Sequence, residues 1–292
     1  MGAPADRADL GDQPGVNRQS RDPRTPPRLL SIAGSDSGGG AGLQADLKAF
    51  AAHGAYGMSA VTAVTVQNTR GVTAVHAVPP EIVAAQIDAV LDDIGADAIK
   101  IGMLGDAAVV RAVAGRLRAH LGGGAIPVVL DPVMVAKGGA PLLADEAVAA
   151  LVAELLPLAT VVTPNLPELA RLTGLPVATE EERRRASAAL ARSGPAVLAK
   201  GGHAPEGEEP DVVDLLLAAG EWHRFVHPRL AVRSTHGTGC TLAAALAARL
   251  AAGEPLPEAA AGAVEYVAGA IAAAYPLGGG IGPTDPLYRF KT

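Results

Sequence analysis

The feature that most constrains how this chain can fold is a regular alternation of short apolar runs with longer segments of helical periodicity. The run at residues 29–33 leads through a glycine-rich stretch into Leu43, Leu47 and Phe50, which recur at helical spacing. A Val- and Thr-rich run at residues 59–66 precedes a second helical segment in the same way. This alternation predicts an α/β fold with a mostly parallel central sheet and helices on both faces.

The same pattern continues through the rest of the chain. Further strands are predicted at residues 98–101, 127–130, 160–162 and 196–199, helices at 107–121, 145–156, 180–193, 238–252 and 256–274, and a hairpin at 212–225 turning near 219–220. No repeat or linker divides residues 28–292, so we predict one domain there. Residues 1–27 are rich in Pro, Asp, Arg and Gly, and we expect them to form a disordered tail.

Charge and composition exclude several classes of function. The formal net charge is −6, which gives no basic surface for a nucleic acid partner. The apolar stretches are interrupted by residues such as Glu154, Arg249 and Glu265, so no membrane span is predicted. Cys240 is the only cysteine, which rules out an intrachain disulfide, and the chain is expected to be cytoplasmic.

Polar residues and glycines follow most of the predicted strands. In an open parallel sheet, ligands bind beyond the carboxyl ends of the strands. Residues at or just past these ends are Gly34, Gln67, Gly102, Asp131, Asn165 and Lys200. We therefore expect one crevice to hold them all.

Residues 234–241 read STHGTGCT and open a long Ala-rich helical segment. Unpaired N–H groups at a helix start, with glycines that let a ligand approach the backbone, favour an anion site formed by Gly237, Thr238, Gly239 and Cys240. The alternative is a glycine turn with a small buried cysteine. A helix start also predicts a lowered pKa for the Cys240 thiol.

Three further positions have both a functional and a purely structural interpretation. Asn165 and Glu168 lie three apart, which suits either a carboxylate site for hydrated Mg²⁺ or a helix cap. Asp131 ends a strand, where it would join the metal site or cap a turn. Lys200 and Gly202 place a cation and bare backbone at a strand end, which suits nucleotide phosphates or a surface turn.

Asp46 follows the glycine-rich stretch by one helical turn, from which its carboxylate is expected either to reach a ligand under the glycines or to be solvated. Known kinase and metal signatures are missing from the sequence. There is no GxxxxGK[ST] motif of a P-loop enzyme, no H-R-D or D-F-G motif of a protein kinase, and no Cys/His cluster for zinc.

The chain resembles the hydroxymethylpyrimidine/phosphomethylpyrimidine kinase family of the ribokinase-like superfamily. The resemblance runs from about Leu29 to Tyr288 and is carried by the motifs AGSDSGGGAGLQADLK, TAVTVQNTRGV, IKIGMLGD, DPVMVAKGG, VTPNLPE, AKGGH and STHGTGCTLAAA. It implies a ribokinase-like fold, ATP and Mg²⁺, and a homodimer. It also implies two transfers, first to the hydroxymethyl group of 4-amino-5-hydroxymethyl-2-methylpyrimidine and then to the resulting monophosphate.

The resemblance also implies which residues contact the pyrimidine. Asp46 and Gln67 are expected near the ring, with Gly34 beside them and Met103 against its face. A carboxamide such as Gln67 matches an amino group beside a ring nitrogen, a pair that pyridoxal lacks. A pyridoxal or broad-specificity kinase and a non-catalytic pyrimidine-binding regulator remain the alternatives.

Three expectations accompany the resemblance. Many ribokinase-like enzymes have Asp where this chain has Cys240; if Cys240 is a base, Cys240→Ala should slow the first transfer more than the second. The ending at residues 278–288 departs from the His-containing GHGP type, so its contacts were not predicted. The sequence does not predict whether a loop closes over the site, and residues 136–140 are the segment to examine for such a movement.

Overall fold

Nine strands of the described residues form one sheet, in the order β3-β2-β1-β4-β5-β6-β7-β8-β9. The structure is a computed structural model that describes residues 24–122, 126–134, 143–203 and 211–291. The strands are β1 Arg28–Asp36, β2 Tyr56–Asn68, β3 Gly71–Ala77, β4 Ala98–Ile101, β5 Val128–Leu130, β6 Val161–Val162, β7 Ala196–Ala199, β8 Asp211–Ala218 and β9 Glu221–Pro228. Strands β1, β2 and β4 to β7 are parallel, whereas β3, β8 and β9 run antiparallel to their neighbours.

Helices cover both faces of this sheet. They are α1 Gly42–Ala52, α2 Pro80–Asp93, α3 Ala107–Leu121, α4 Asp145–Ala150, α5 Leu166–Thr173, α6 Glu180–Ala191, α7 Thr238–Ala251 and α8 Leu256–Ala272. A π-helical stretch, Leu151–Leu155, continues α4. The predicted α/β architecture is confirmed. No helix within the described part of the chain has the length and apolarity to cross a membrane.

Successive strand residues pack into two separate cores. Val128 belongs to the core under α2 to α6, whereas Val129 belongs to the core under α1, α7 and α8. Val162 likewise belongs to the first core and Val161 to the second. The reason is that successive side chains of a strand point to opposite faces of the sheet. Helix α7 is buried along most of its length, and its run of small residues lets it lie close against the sheet. This packing fixes the start of α7 at the carboxyl ends of the strands.

The chain departs from the predicted elements in a few places. The predicted hairpin is confirmed, with Ala219 and Gly220 both at positive φ, as a tight turn between twisted strands requires. Strand β1 continues past Gly34 to Asp36 through a register shift. Strand β3 was not predicted, and all but its first two residues are exposed, so no apolar periodicity marks it.

Some predictions fall on residues outside the described ranges. Residues 1–23 of the predicted tail are among them, as is the segment at 136–140 that was singled out as a candidate loop over the site. The boundary of a single domain at residue 28 stays a prediction.

Candidate active site

A cavity of about 1250 Å³ lies at the carboxyl ends of the parallel strands and beside the start of α7. The predicted site residues that line it are Gly34, Gln67, Met103, Asp131, Asn165, Glu168, Lys200, Gly202, Gly237, Thr238, Gly239 and Cys240. The structure therefore brings them into one crevice, and five of the six predicted strand-end residues are among them. The sixth, Gly102, does not line the cavity, because the side chains of Lys100 and Ala33 lie against it. Asp46 does not line the cavity.

The start of α7 presents backbone N–H groups without a side-chain cap. Gly237 precedes the helix at φ +79°, and a Cβ there would lie 1.8 Å from the carbonyl oxygen of Gly40. Only glycine fits both the backbone conformation and this close approach. The uncapped first turn of a 14-residue helix, set in the cavity wall, is suited to an anion.

Lys200 and Asp131 form an ion pair beside this helix start. The Lys200 ammonium donates to Oδ1 of Asp131 at 2.8 Å, and the Thr163 hydroxyl donates to the same oxygen at 3.1 Å. A Cβ on Gly239 would lie 3.2 Å from Nζ of Lys200. Burial opposes the charge on Lys200, but Asp131 and Glu168 raise its pKa, so the side chain is a cation at neutral pH.

Asn165 and Glu168 form a capping box at the start of α5. The side chain of Asn165 accepts from the Glu168 N–H at 2.9 Å, and the Glu168 carboxylate accepts from the Asn165 N–H at 2.8 Å. The helix-cap interpretation is therefore confirmed, while both residues also line the cavity. Burial raises the pKa of Glu168 to about 7, against the opposing effect of Lys200.

The Cys240 thiol does not have the lowered pKa that its place at a helix start predicted. Burial raises the pKa to about 11, and this effect exceeds the opposing effects of Lys100 and of the backbone N–H of Gly42. The carboxyl groups of Asp46 and Asp131 raise it further. Cys240 is thus a neutral thiol at physiological pH, and the prediction was wrong because desolvation of the thiol outweighs the influences that lower its pKa.

Asp46 lies below the cavity floor rather than at a ligand-facing position. Its Oδ2 accepts from Nζ of Lys100 at 2.8 Å and from the Ser31 hydroxyl at 2.5 Å, and neither side chain of the ion pair is exposed. The sequence-based placement was wrong because Asp46 faces strands β1 and β4, not the glycine-rich stretch. Lys100 lines the cavity in its place. Although burial opposes its charge, Asp46 and other acidic neighbours raise the pKa of Lys100.

Gly34 and Met103 meet across two neighbouring strands. A Cβ on Gly34 would lie 2.5 Å from Cε of Met103, so glycine makes room for this side chain. The Thr62 hydroxyl donates to the Met103 carbonyl at 2.6 Å and fixes the loop after β4. The result is an apolar patch in the wall of the cavity that Gln67 also lines.

Asp36 organises the glycine-rich stretch at the end of β1. Its Oδ1 accepts from the Gly38 N–H at 2.7 Å, and its Oδ2 accepts from the N–H groups of Gly40 and Ala41 at 3.0 and 2.8 Å. Nε2 of His236 lies 3.0 Å from the same Oδ2. Although burial alone would raise it, hydrogen bonds from His236 and these amides lower the pKa of Asp36.

The ending of the chain packs against the same region. The Ile281 N–H donates to the Thr69 carbonyl at 2.8 Å, and the His236 N–H donates to the Gly282 carbonyl at 2.9 Å. The tail thereby holds His236 next to the end of β2. These contacts were not predicted.

Comparison with known proteins agrees with this geometry. A family model described as phosphomethylpyrimidine kinase matches residues 36–285. A hydroxymethylpyrimidine/phosphomethylpyrimidine kinase from Streptomyces coelicolor is 53% identical over 264 residues, which cover 90% of this chain and 95% of the relative. The chain belongs to the phosphomethylpyrimidine kinase family.

Two solved structures share the fold of this family member. A phosphomethylpyrimidine kinase from Clostridium difficile has 39% identity and a TM-score of 0.73, over 83% of this chain and 98% of that one. A pyridoxal kinase from Staphylococcus aureus, solved with pyridoxal, has 34% identity and a TM-score of 0.82, over 91% and 95% of the two chains. The same pyridoxal kinase has also been solved with AMP-PCP and pyridoxal.

Three cavity residues of this phosphomethylpyrimidine kinase family member were missed by sequence reasoning. They are Asp36, Lys100 and His236. A signal existed for Lys100, because a lysine in an otherwise apolar strand is rarely buried without a partner. Asp36, two residues before the first of the glycines at 38–40, fits an Asx turn. His236 had no signal beyond its place next to Gly237.

Proposed function

We propose that this chain transfers the γ-phosphoryl group of ATP to the hydroxymethyl group of 4-amino-5-hydroxymethyl-2-methylpyrimidine, and then a second phosphoryl group to the monophosphate. The observation that carries this proposal is the position of the α7 start in the cavity wall. Gly239 lies beside Lys200 and Asp131 at one end, and Gly237 lies against the glycine-rich stretch near Gln67 at the other. A phosphoryl group over the first-turn amides would lie between a nucleotide and a flat heterocycle.

The nucleotide end is formed by Lys200, Gly202 and Asn165. The Lys200 ammonium would neutralise charge on the nucleotide phosphates, and the exposed backbone of Gly202 would let the nucleotide lie close. The N–H of Gly201, which lies between these two residues of the turn, donates to Oδ1 of Asp214 at 2.7 Å. This hydrogen bond fixes the turn that carries Lys200 and Gly202. Positioning and charge stabilisation supply most of the catalysis in phosphoryl transfer.

The acidic residues at this end fit a hydrated Mg²⁺ ion. Within the described residues, no group of three or more His, Cys, Asp or Glu side chains could enclose a metal. Mg²⁺ in kinases is held by one or two carboxylates together with substrate phosphates and waters, so Glu168 and Asp131 suffice. The bound ion would neutralise charge on the transferred group.

The pyrimidine end is formed by Gly34, Gln67 and Met103. The ring would lie against the Met103 side chain in the space that Gly34 leaves open, with its polar edge toward the Gln67 amide. Asp46 would act on the ligand only indirectly, because its carboxylate holds the Lys100 ammonium at the cavity floor. That ammonium places positive charge near the start of α7.

In the first transfer, the hydroxymethyl oxygen bonds to the γ-phosphorus, and the bond from that phosphorus to the bridging oxygen breaks. ADP leaves, and the hydroxyl proton passes to solvent water. A thiol with a pKa of about 11 is already protonated at pH 7 and cannot accept this proton. We therefore assign Cys240 to the anion site formed with Gly237, Thr238 and Gly239. On this assignment, Cys240→Ala slows both transfers by the same factor in single-turnover measurements.

The test of the proposal compares two acceptors. ADP release with Mg-ATP should be rapid with the hydroxymethylpyrimidine and much slower with pyridoxal, because pyridoxal does not match the Gln67 amide. Two molecules of ADP should be released for each pyrimidine, because two phosphoryl groups are transferred. If ADP were released with pyridoxal but not with the hydroxymethylpyrimidine, the substrate assignment would be overturned. If the pyrimidine bound without any release of ADP, the protein would instead be a regulator.

A further inference from the structure

The Gln67 amide is held between His236 and Thr65. Nε2 of Gln67 lies 3.0 Å from Nε2 of His236, and Oε1 of Gln67 lies 3.2 Å from the Thr65 hydroxyl oxygen. The oxygen and nitrogen of a carboxamide have nearly the same shape, so the direction of the amide follows from the donors and acceptors around it.

The His236 side of the amide offers a donor. Nε2 of His236 faces the Asp36 carboxylate at 3.0 Å, and two backbone N–H groups donate to the same carboxylate oxygen. The hydrogen bonds around Asp36 favour its ionised form. A ring nitrogen with a lone pair would be repelled there, so Nε2 carries a hydrogen, which the Asp36 carboxylate and Gln67 share at equal distances of 3.0 Å. A protonated Nε2 has no lone pair in the ring plane and cannot accept a hydrogen bond from an NH2 group of Gln67.

The Thr65 side of the amide offers an acceptor. The Thr65 hydroxyl has a single hydrogen, which it donates to the Ser35 carbonyl at 2.8 Å. Toward Gln67, at the longer distance of 3.2 Å, it presents a lone pair. Only an amide with its oxygen toward His236 and its NH2 group toward Thr65 satisfies both neighbours.

We infer that His236 is a positioning residue that fixes the direction of the Gln67 amide and thereby the direction in which the substrate ring binds. This rests on the proposed function. In the pyrimidine, the amino group lies between a ring nitrogen and the carbon that carries the hydroxymethyl group. With the amide oxygen toward His236, the amino group points to the His236 side and the ring nitrogen to the Thr65 side.

The hydroxymethyl group then lies beyond the amino group, toward the residue that follows His236. That residue is Gly237, where the first turn of α7 begins. The opposite amide direction would place the hydroxymethyl group on the far side, away from the transferred phosphoryl group. His236 thus selects the ring orientation that brings the hydroxymethyl group to the phosphoryl group. It does so for a ring whose amino group is a donor and whose neighbouring ring nitrogen is an acceptor.

The experiment compares two ring patterns in matched variants. The 4-oxo analogue of the substrate carries a hydrogen on the ring nitrogen and an acceptor oxygen in place of the amino group, which reverses the pattern. His236→Leu removes the donor and frees the amide to turn, so the ratio of kcat/KM for the amino over the oxo ring should fall about tenfold or more. His236→Gln keeps a donor and should retain the ratio, as should His76→Leu on the exposed strand β3.

The outcomes separate this inference from the proposed function. An unchanged ratio in His236→Leu, with both rings losing activity equally, would mean that His236 is only structural and would overturn the inference. No transfer to the amino ring by the wild-type protein would instead overturn the proposed function. If His236→Leu does not fold, ¹⁵N NMR of the wild-type protein decides, because a His236 Nε2 without hydrogen contradicts the inference and a protonated Nε2 supports it.

Discussion

Nζ of Lys200 lies 2.8 Å from Oδ1 of Asp131, and both residues line the cavity next to the helix start at Gly239. Asp131 directly follows strand β5 and Lys200 directly follows strand β7, and the short strand β6 lies between these two strands in the sheet. The ion pair holds a cation at the end of the cavity that we assign to the nucleotide.

Lys200→Met should weaken the interaction with ATP more than the interaction with the pyrimidine. A charge-assisted hydrogen bond contributes about 1.5–3 kcal/mol, so kcat/KM for ATP should fall roughly 10- to 100-fold. Steady-state kinetics with each substrate varied in turn measure this, and Lys200→Arg, which keeps the charge, should lose less. An unchanged KM for ATP would place the nucleotide elsewhere.

Gly237→Ala should disrupt the start of α7. The added Cβ would meet the Gly40 carbonyl oxygen at 1.8 Å, so the first turn must shift, and we expect kcat to fall about 100-fold. Gly253→Ala is the matched control, because Gly253 also has a positive φ, of +89°, but no neighbour within 4 Å of the added Cβ. Both variants carry backbone strain of about 1 kcal/mol or more, so equal activities in the two would mean that the helix start has no catalytic part.

Lys100→Met should destabilise the fold because it leaves the Asp46 carboxyl group fully buried without its cationic partner. Breaking a fully buried ion pair costs about 3–5 kcal/mol in the free energy of unfolding. The double variant Lys100→Met with Asp46→Leu removes both charges and should recover most of this loss. Urea unfolding of the three proteins measures it, and a double variant no more stable than Lys100→Met would contradict this account of the pair.

The pH dependence of Cys240 alkylation tests its raised pKa. Because only the thiolate reacts and the folded pKa is about 11, the rate should keep rising as the pH increases beyond 9. The same thiol in urea should begin to level off near its ordinary value of 9.0. Cys240 is the only cysteine, so the signal is unambiguous. A plateau below pH 8 in the folded protein would show a thiolate and restore Cys240 as a candidate base.

The strand ends and the glycine-rich segments could be predicted because local sequence determines them. A strand that ends in Asp131 or precedes Asn165 delivers its polar residue to the same edge wherever its neighbours lie. The helix start at Gly237 was likewise visible in the sequence alone. These features were enough to bring most of the site residues into one cavity.

Features that depend on long-range packing could not be predicted. Asp46 lies one turn into α1, but the direction of its side chain depends on Lys100 from a strand 54 residues away. The Asp36 and His236 contact joins residues 200 apart. For Cys240, the helix start was predicted, whereas the burial that dominates its pKa depends on how closely α7 lies against the sheet.

The central claim is that one cavity holds a nucleotide and a pyrimidine on either side of the α7 start. A crystal structure with AMP-PCP, Mg²⁺ and the hydroxymethylpyrimidine tests it most directly. We expect the terminal phosphoryl group within hydrogen-bonding distance of the N–H groups of residues 238–240, with the ring between Gln67 and Met103. A ring bound away from Gln67, or a phosphoryl group that does not reach these amides, would contradict the account.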